Sequence, residues 1–273
     1  MTKVAWLTDI HLTHLNEAPR IRFLQDLRDL RADVVLVSGD IAESPTVVPC
    51  LRQMLQVVGK PVYFVLGNHD YYHGGIEVTR SAISRLAQEA PLLTYLTSNG
   101  VIELSPGAGL VGHDGWADAR LGDFDHSDVE LNDYVLIEDL ACLRSLPPKL
   151  YRSALRERLE SLGDEAARHF RVVLPQALSR FPRVIALTHV PPFREACRYG
   201  GRISDDNWLP HFSCAAVGEA LLEIMRLHPD RELLVLCGHT HGAGEYRPLP
   251  NLHVLTGGAD YGRPKVQRVF ELV

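Results

Sequence analysis

Val34-Val35-Leu36-Val37-Ser38-Gly39-Asp40 decides how the rest of the chain is read. Its apolar, β-branched run favours a strand. The run is continuous rather than alternating, as in a strand covered on both faces. Gly39 permits a sharp turn where the strand ends, and that turn aims Asp40 outward. Four other places repeat the design: Val4 to Thr8 runs into Asp9-Ile10-His11, and Val62 to Leu66 runs into Gly67-Asn68-His69-Asp70. Val184 to Leu187 leads to His189, and Leu233 to Leu236 leads to Gly238-His239-Thr240-His241. Strands ending this way present side chains at the carboxyl edge of a sheet, where open α/β folds build their sites. The ends bring two Asp, one Asn and four His. Such a mixed oxygen and nitrogen set suits borderline divalent metals, with donors enough for two ions.

Helical periodicity fills the gaps between these strands. Phe23, Leu24, Leu27 and Leu30 share one face of a helix predicted over Ile21 to Leu30. A second helix is expected after Pro45 to Val58, and a third carries Val78, Ile83, Leu86 and Ala87. Strand–helix–strand order implies right-handed parallel crossovers. From Leu92 to Val111 the pieces shorten and glycines and Asn99 separate them, which predicts antiparallel hairpins. A long helix is expected from Ser153 to Ser179, with Pro175 kinking or ending it. The second half adds a helix from Ala215 to Leu227 and short strands near Leu252 to Leu255 and Val266 to Phe270. Residues 113–150 and 190–213 break the pattern and read as lid insertions. With no repeat, low-complexity tract or linker, residues 1–273 read as a single domain.

Composition narrows the function. Hydrophobic residues at 46% and charged residues at 23% are ordinary for a chain with a sizeable core. A net charge of −6, with arginines scattered, argues against a nucleic-acid footprint. The five cysteines are odd in number, widely spaced and without a CxxC pair, so no disulfide framework is expected. Cys237, beside a donor motif, reads as a small buried hydrophobe. No signal peptide is evident, and no apolar run approaches the ~18 residues of a membrane span. A reduced, cytoplasmic compartment is expected.

The motifs differ in what they offer. Asp9 and His11 are alternate residues of an extended segment and point the same way. Asn68 is a neutral oxygen donor that leaves a metal's Lewis acidity intact. His69 beside it faces another way and is better placed as an acid than as a ligand. His239 and His241, one residue apart after a glycine, can contact two neighbouring ions. His14 has no comparable partner.

Taken in order, D-x-H, G-D, G-N-H-D, H and G-H-x-H over residues 9 to 241 resemble the calcineurin-like metallophosphoesterase superfamily. The resemblance implies an α/β fold, a four-layer α/β/β/α sandwich with two mixed sheets and a metal site at strand carboxyl ends. It implies that Asp9, His11 and His241 hold one ion, that Asn68, His189 and His239 hold a second, and that Asp40 bridges them. Two divalent transition-metal ions are expected, Mn or Fe favoured and Zn possible. The implied activity is hydrolysis of a small-molecule phosphomonoester or phosphodiester by a metal-bridging hydroxide, with His69 as general acid and Glu43 as a carboxylate orienting it. A non-catalytic binding or scaffold protein is the alternative, but lost function would show as replaced ligands, and none is replaced. The insertions carry His113, Asp114, Trp116, Arg120, Arg194, Arg198, Tyr199, Arg202, Asp205 and Asp206. Their arginines are candidates to grip a non-reacting phosphate, and Trp116 or Tyr199 to stack on a base.

Overall fold

The computed structural model describes residues 1–272. Along the chain run β1 (Thr2–Leu7), β2 (Val34–Ser38), β3 (Val62–Val65), β4 (Leu93–Tyr95), β5 (Ile102–Ser105), β6 (Ala108–Gly112) and β7 (Arg183–Leu187). There follow β8 (Arg198–Tyr199), β9 (Arg202–Ile203), β10 (Glu232–Cys237), β11 (Gly244–Leu249), β12 (Leu252–Thr256) and β13 (Arg268–Leu272). One sheet has the order β13-β1-β2-β3-β4, and a second has β11-β12-β10-β7-β6-β5. β1 to β4 are parallel, with β13 antiparallel at the edge. In the second sheet β12, β10, β7 and β6 are parallel, and β11 and β5 are antiparallel edges. Both sheets are therefore mixed.

Side-chain alternation assigns each strand residue to one of three apolar interfaces. Val4, Trp6, Val34 and Leu36 pack between the sheets against Leu110, Ile185, Leu187 and Leu236. Ala5, Leu7, Val35 and Val37 point the other way, into a core with helices Glu17–Asp29, Ser44–Val58 and Ile76–Glu89. The outer face of the second sheet, through Val184, Ala186, Val235 and Val254, packs on the Ala215–Leu227 helix and the second half of the Pro148–Arg180 helix. Helices, two sheets and helices again make the four-layer α/β/β/α sandwich. Strands buried on both faces explain the unbroken apolar runs.

Several expectations need correction. β4 is no hairpin strand: it pairs parallel with β3 after the Ile76–Glu89 crossover, and within residues 92–111 only β5 and β6 form an antiparallel hairpin. The Pro148–Arg180 helix runs through Pro175 without ending. An interior proline costs a helix about 3 kcal/mol, whereas each fully buried leucine contributes about 1.5–3 kcal/mol. Leu174 and Leu178, both buried beside Pro175, together outweigh the break. The Glu17–Asp29 helix begins a turn earlier than predicted, since Pro19 is tolerated in a first turn. β11 was not anticipated, because its GEYRPL sequence lacks the apolar run of a covered strand. Segment 190–213 holds the β8–β9 ribbon, and segment 113–150 holds short helices at Asp133–Leu136 and Glu138–Ala141. Among the described residues all five cysteines are free, and no helix is long and apolar enough to cross a membrane.

Candidate metal centre

Each donor motif follows the carboxyl end of a parallel strand: β1, β2, β3, β7 and β10. Leaving the strand and turning a donor inward within two to four residues demands unusual backbone. Asp9, His11, Asp40, His239 and His241 all have positive φ, between 38° and 71°. Such conformations cost of order 1–3 kcal/mol each in a non-glycine residue and cluster at functional sites. Only two other non-glycine residues, His73 and Ala119, share them among the described residues. The adjoining glycines are needed for space: a Cβ on Gly39 would collide with the His189 imidazole, and one on Gly238 with the Asp9 carboxylate.

The side chains meet in two groups. Asp9, His11, Asp40 and His241 each offer a ligand atom, all within 4.8 Å of one another. His11 Nε2 and His241 Nε2 face each other at 3.2 Å. In the second group, Asn68 Oδ1 lies 3.0 Å from His189 Nε2 and 2.9 Å from His239 Nδ1. Asp40 belongs to both: Oδ1 is 3.3 Å from His189 Nε2, and Oδ2 is 3.7 Å from His11 Nε2.

The outer hydrogen bonds fix which nitrogens face inward. A carbonyl oxygen only accepts, so His189 Nδ1 donates to Ser38 O at 2.9 Å and His239 Nε2 donates to His211 O at 2.9 Å. On the neutral His239 ring the inner Nδ1 then carries a lone pair directed at Asn68 Oδ1, itself an acceptor, and His189 Nε2 presents the same lone pair once it yields the proton that Asp40 and Asp9 hold on it. Donor atoms converging on acceptors, without hydrogens between them, form a set that a cation satisfies. Such outer carbonyl partners are the usual companions of metal-ligating histidines. Protonation follows the same logic. Burial works against charge on His189, yet Asp40 and Asp9 carry its pKa up to about 10, so a proton stands on it in the metal-free chain. Burial drives His11 and His239 down to about 3 and keeps them neutral. Burial opposes ionisation of Asp40 too, but His189, His69 and His11 hold its carboxyl well below the usual range. The residues present fit two divalent ions.

His69 borders the donors, with Nε2 4.0 Å from Asp40 Oδ2 and its ring 4.6 Å from His11. Its backbone N–H donates to Asp40 Oδ1 at 2.9 Å, and its ring stacks on Tyr72 at 4.2 Å. The Tyr261 hydroxyl lies 3.4 Å from His69 Nε2. A cavity of about 710 Å³ opens over Asn68, His69, His239 and His241. Glu43 is not brought to His69. It precedes the Ser44–Val58 helix as its N-cap, with its backbone N–H on Thr46 Oγ1 at 3.3 Å, and its carboxylate faces His73 at 3.9 Å.

Several residues that build the site carry no sequence signal of their own. Buried Asp70 accepts from the backbone of Ile41, Ala42 and Gly67 at 2.7–2.9 Å, tying the Asp40 turn to the Asn68 turn. Burial and the Asp40 charge push its carboxyl up to about 8. Asp133 accepts from Asn68 Nδ2 at 2.8 Å and Tyr72 at 2.7 Å. Asp114 is a buried hub: its side chain accepts from Leu66 N, Tyr71, Tyr95, Thr97 and Arg80, while its carbonyl accepts from His189 N. It thus ties one motif-bearing strand end to another. Trp116 is 3% exposed and packs on Tyr71 at 5.5 Å, so it stacks on no ligand. Asp70 lay inside a quoted motif, but Asp133, Asp114 and Tyr261 are distant in sequence from everything they touch.

No curated protein sequence matches the chain. Its fold is similar to that of phosphopantetheinyl hydrolase from Mycobacterium tuberculosis, with a TM-score of 0.61 at 14% identity, covering 94% of this chain and 89% of that one. A dimetal phosphatase from Danio rerio is also similar, with a TM-score of 0.57 at 16% identity, covering 94% of this chain and 87% of the other. At these identities the likeness speaks for the fold. The family model for calcineurin-like phosphoesterases matches residues 2–243 and so spans all five donor motifs. The chain belongs to the calcineurin-like phosphoesterase family, whose members are metal-dependent phosphoric ester hydrolases.

Proposed function

We propose that the chain hydrolyses a small-molecule phosphomonoester or phosphodiester at a binuclear centre. Asp9, His11 and His241 hold one divalent transition-metal ion, Asn68, His189 and His239 hold the other, and Asp40 serves both. Mn or Fe is the favoured occupant, and Zn also suits the donors. Bound there, two such ions supply Lewis acidity toward the phosphoryl group and acidify water. The reading rests on one observation: the two oxygens of Asp40 face opposite groups, 3.3 Å from His189 and 3.7 Å from His11.

The chain's own residues do the rest. Asn68 adds an oxygen without charge, so the cluster retains affinity for an anionic ester. His69 borders the cavity and carries the proton for the departing oxygen, the part a positioned imidazole plays in general acid catalysis. Tyr72 holds its ring from one face, and the Tyr261 hydroxyl, its pKa raised to about 12 by burial and by the Asp40 and Asp9 charges, stays protonated beside it. Segments 113–150 and 190–213 wall the cavity and select the substrate. All 273 residues act as one domain, and its unpaired cysteines suit a reducing, cytoplasmic compartment.

The test is a hydrolysis panel on Mn-loaded protein: aryl monoesters, bis-aryl diesters, cyclic nucleotides and glycerophosphodiesters. Turnover of at least one class, abolished by chelation and restored by metal, is expected. Protein carrying two ions but turning over none, or turnover indifferent to chelation, rejects the reading and leaves a binding role.

A further inference from the structure

The most exposed aromatic side chains among the described residues gather in one place. Among the described residues, Tyr199, Trp208 and Tyr261 are the exposed aromatics, at 67%, 40% and 51%, and all line the cavity over the candidate metal centre. Exposed apolar side chains scattered singly mean little, whereas a concentrated set marks a binding surface. The set is continuous with the donors. Trp208 packs on Phe212 at 5.1 Å, and Phe212 packs edge-on to His239 at 5.4 Å. On the other side, Tyr261 lies 4.7 Å from His11 and 4.9 Å from His241.

Two polar groups on the same wall lack partners. Ser204 is 9% exposed, and its hydroxyl has no hydrogen-bond partner, although buried polar atoms nearly always have one. Arg202 lines the cavity and enters no ion pair among the described residues. Of the other insertion arginines, Arg194 is paired with Asp206 at 2.7 Å and Arg120 with Asp118 and Asp164 at 3.1 and 2.9 Å, while Arg198, whose buried Nε also lacks a partner, lines a different cavity. A concavity of about 710 Å³ lies within the size range of small-ligand sites.

We propose that the substrate's organic part carries a planar, hydrogen-bonding ring and a second anionic group. The ring seats against Trp208 and Tyr199 with Ser204 as its polar contact, and Arg202 meets the anion. This rests on the phosphoesterase reading and adds the chemistry of the leaving side. Stacking on an aromatic wall is sequence-tolerant and substantial, so the wall selects for a ring before it selects among rings.

The experiment compares esters sharing one scissile bond. Adenosine 5′-phosphate and ribose 5-phosphate both release a primary alcohol and differ only in the ring, so leaving-group chemistry cancels. With Mn-loaded protein, kcat/KM should favour adenosine 5′-phosphate by on the order of 10-fold to 100-fold. Trp208→Ala should remove most of that preference, lowering kcat/KM for adenosine 5′-phosphate more than for ribose 5-phosphate. Ser204→Ala should reduce it. Adenosine 3′,5′-bisphosphate should be cleaved at the 5′ position about 10-fold better than adenosine 5′-phosphate, an advantage lost in Arg202→Ala. Adenosine alone should bind the metal-free chain by calorimetry and bind Trp208→Ala about 10-fold more weakly. Equal kcat/KM on the two monoesters overturns the proposal and leaves the phosphoesterase reading standing. Adenosine binding with no hydrolysis of either ester or of any member of the panel above supports the ring subsite and overturns the phosphoesterase reading instead.

Discussion

Asn68 donates its amide N–H to Asp133 at 2.8 Å, and this bond decides which atom Asn68 shows to the metal centre. Asp133 as a carboxylate only accepts, so the amide nitrogen turns to it and the amide oxygen turns to His189 and His239. The Tyr72 hydroxyl donates to the same Asp133 oxygen, at 2.7 Å, and Tyr72 stacks under His69. One carboxylate therefore orients a metal donor and supports the ring proposed as the acid. Asp133→Ala should free the Asn68 amide to rotate and weaken the second ion by about 10-fold to 100-fold, the usual cost of losing an outer partner. The first ion should stay. Metal titration checks this; two ions held with unchanged affinity would remove Asp133 from the site.

Asp40→Ala should be worse than the loss of any other donor, because Asp40 alone faces both groups. The expected protein keeps its circular dichroism spectrum, loses both ions by elemental analysis and has no turnover. His241→Ala should lose only one ion. Two ions retained in Asp40→Ala would refute the bridge.

His69→Ala should retain both ions and lose rate, by on the order of 10²–10⁴-fold on alkyl esters. On nitrophenyl esters the loss should shrink, because nitrophenolate departs with little help from a proton. The slope of rate against leaving-group pKa measures this. A loss equal on both classes would assign His69 to phosphate binding instead.

The pH dependence of stability has a contributor far from the centre. Burial, reinforced by His113, lowers His169 to about 4, against 6.5 for the unperturbed ring. Below pH 6.5 the unfolded chain takes up a proton that the folded chain refuses, so the unfolded state binds more protons and stability falls with falling pH. The loss accumulates between pH 6.5 and about 4 and levels off below that. His169→Gln should make the fall of the unfolding midpoint over this window shallower by one proton's share, since His11, His239 and His211 are lowered in the same way, and leave the midpoint unchanged above pH 7. A wild-type slope in His169→Gln would place the acid sensitivity elsewhere.

The strands and the donors are plain in the sequence because each strand is covered on both faces and each donor sits two to four residues beyond its strand. Val34 to Asp40 needs no tertiary information to be understood. Partner choice is different. β4 was misjudged because Leu93–Tyr95 is too short to show its neighbour, and the parallel pairing comes from the helix before it. Pro175 was misjudged because local propensity says nothing of the leucines its helix buries. Asp133 and Tyr261 meet the site across 65 and 192 residues of chain, and an isolated Asp or Tyr declares no such partner. Glu43 shows the reverse error, a carboxylate near a motif whose structural work is to start a helix.

The left-handed backbone of Asp9, His11, Asp40, His239 and His241 bears on how such a protein would age once its reaction is no longer needed. At each position glycine would relax the chain, while the donor is kept against that relief. A lineage freed from turnover would keep only the hydrogen bonds of Asp9 and Asp40 to the His239 and His69 backbone to oppose the drift. Decay into a silent binding protein would then begin at the three histidine turns, and the first trace of it would be glycine at His11, His239 or His241.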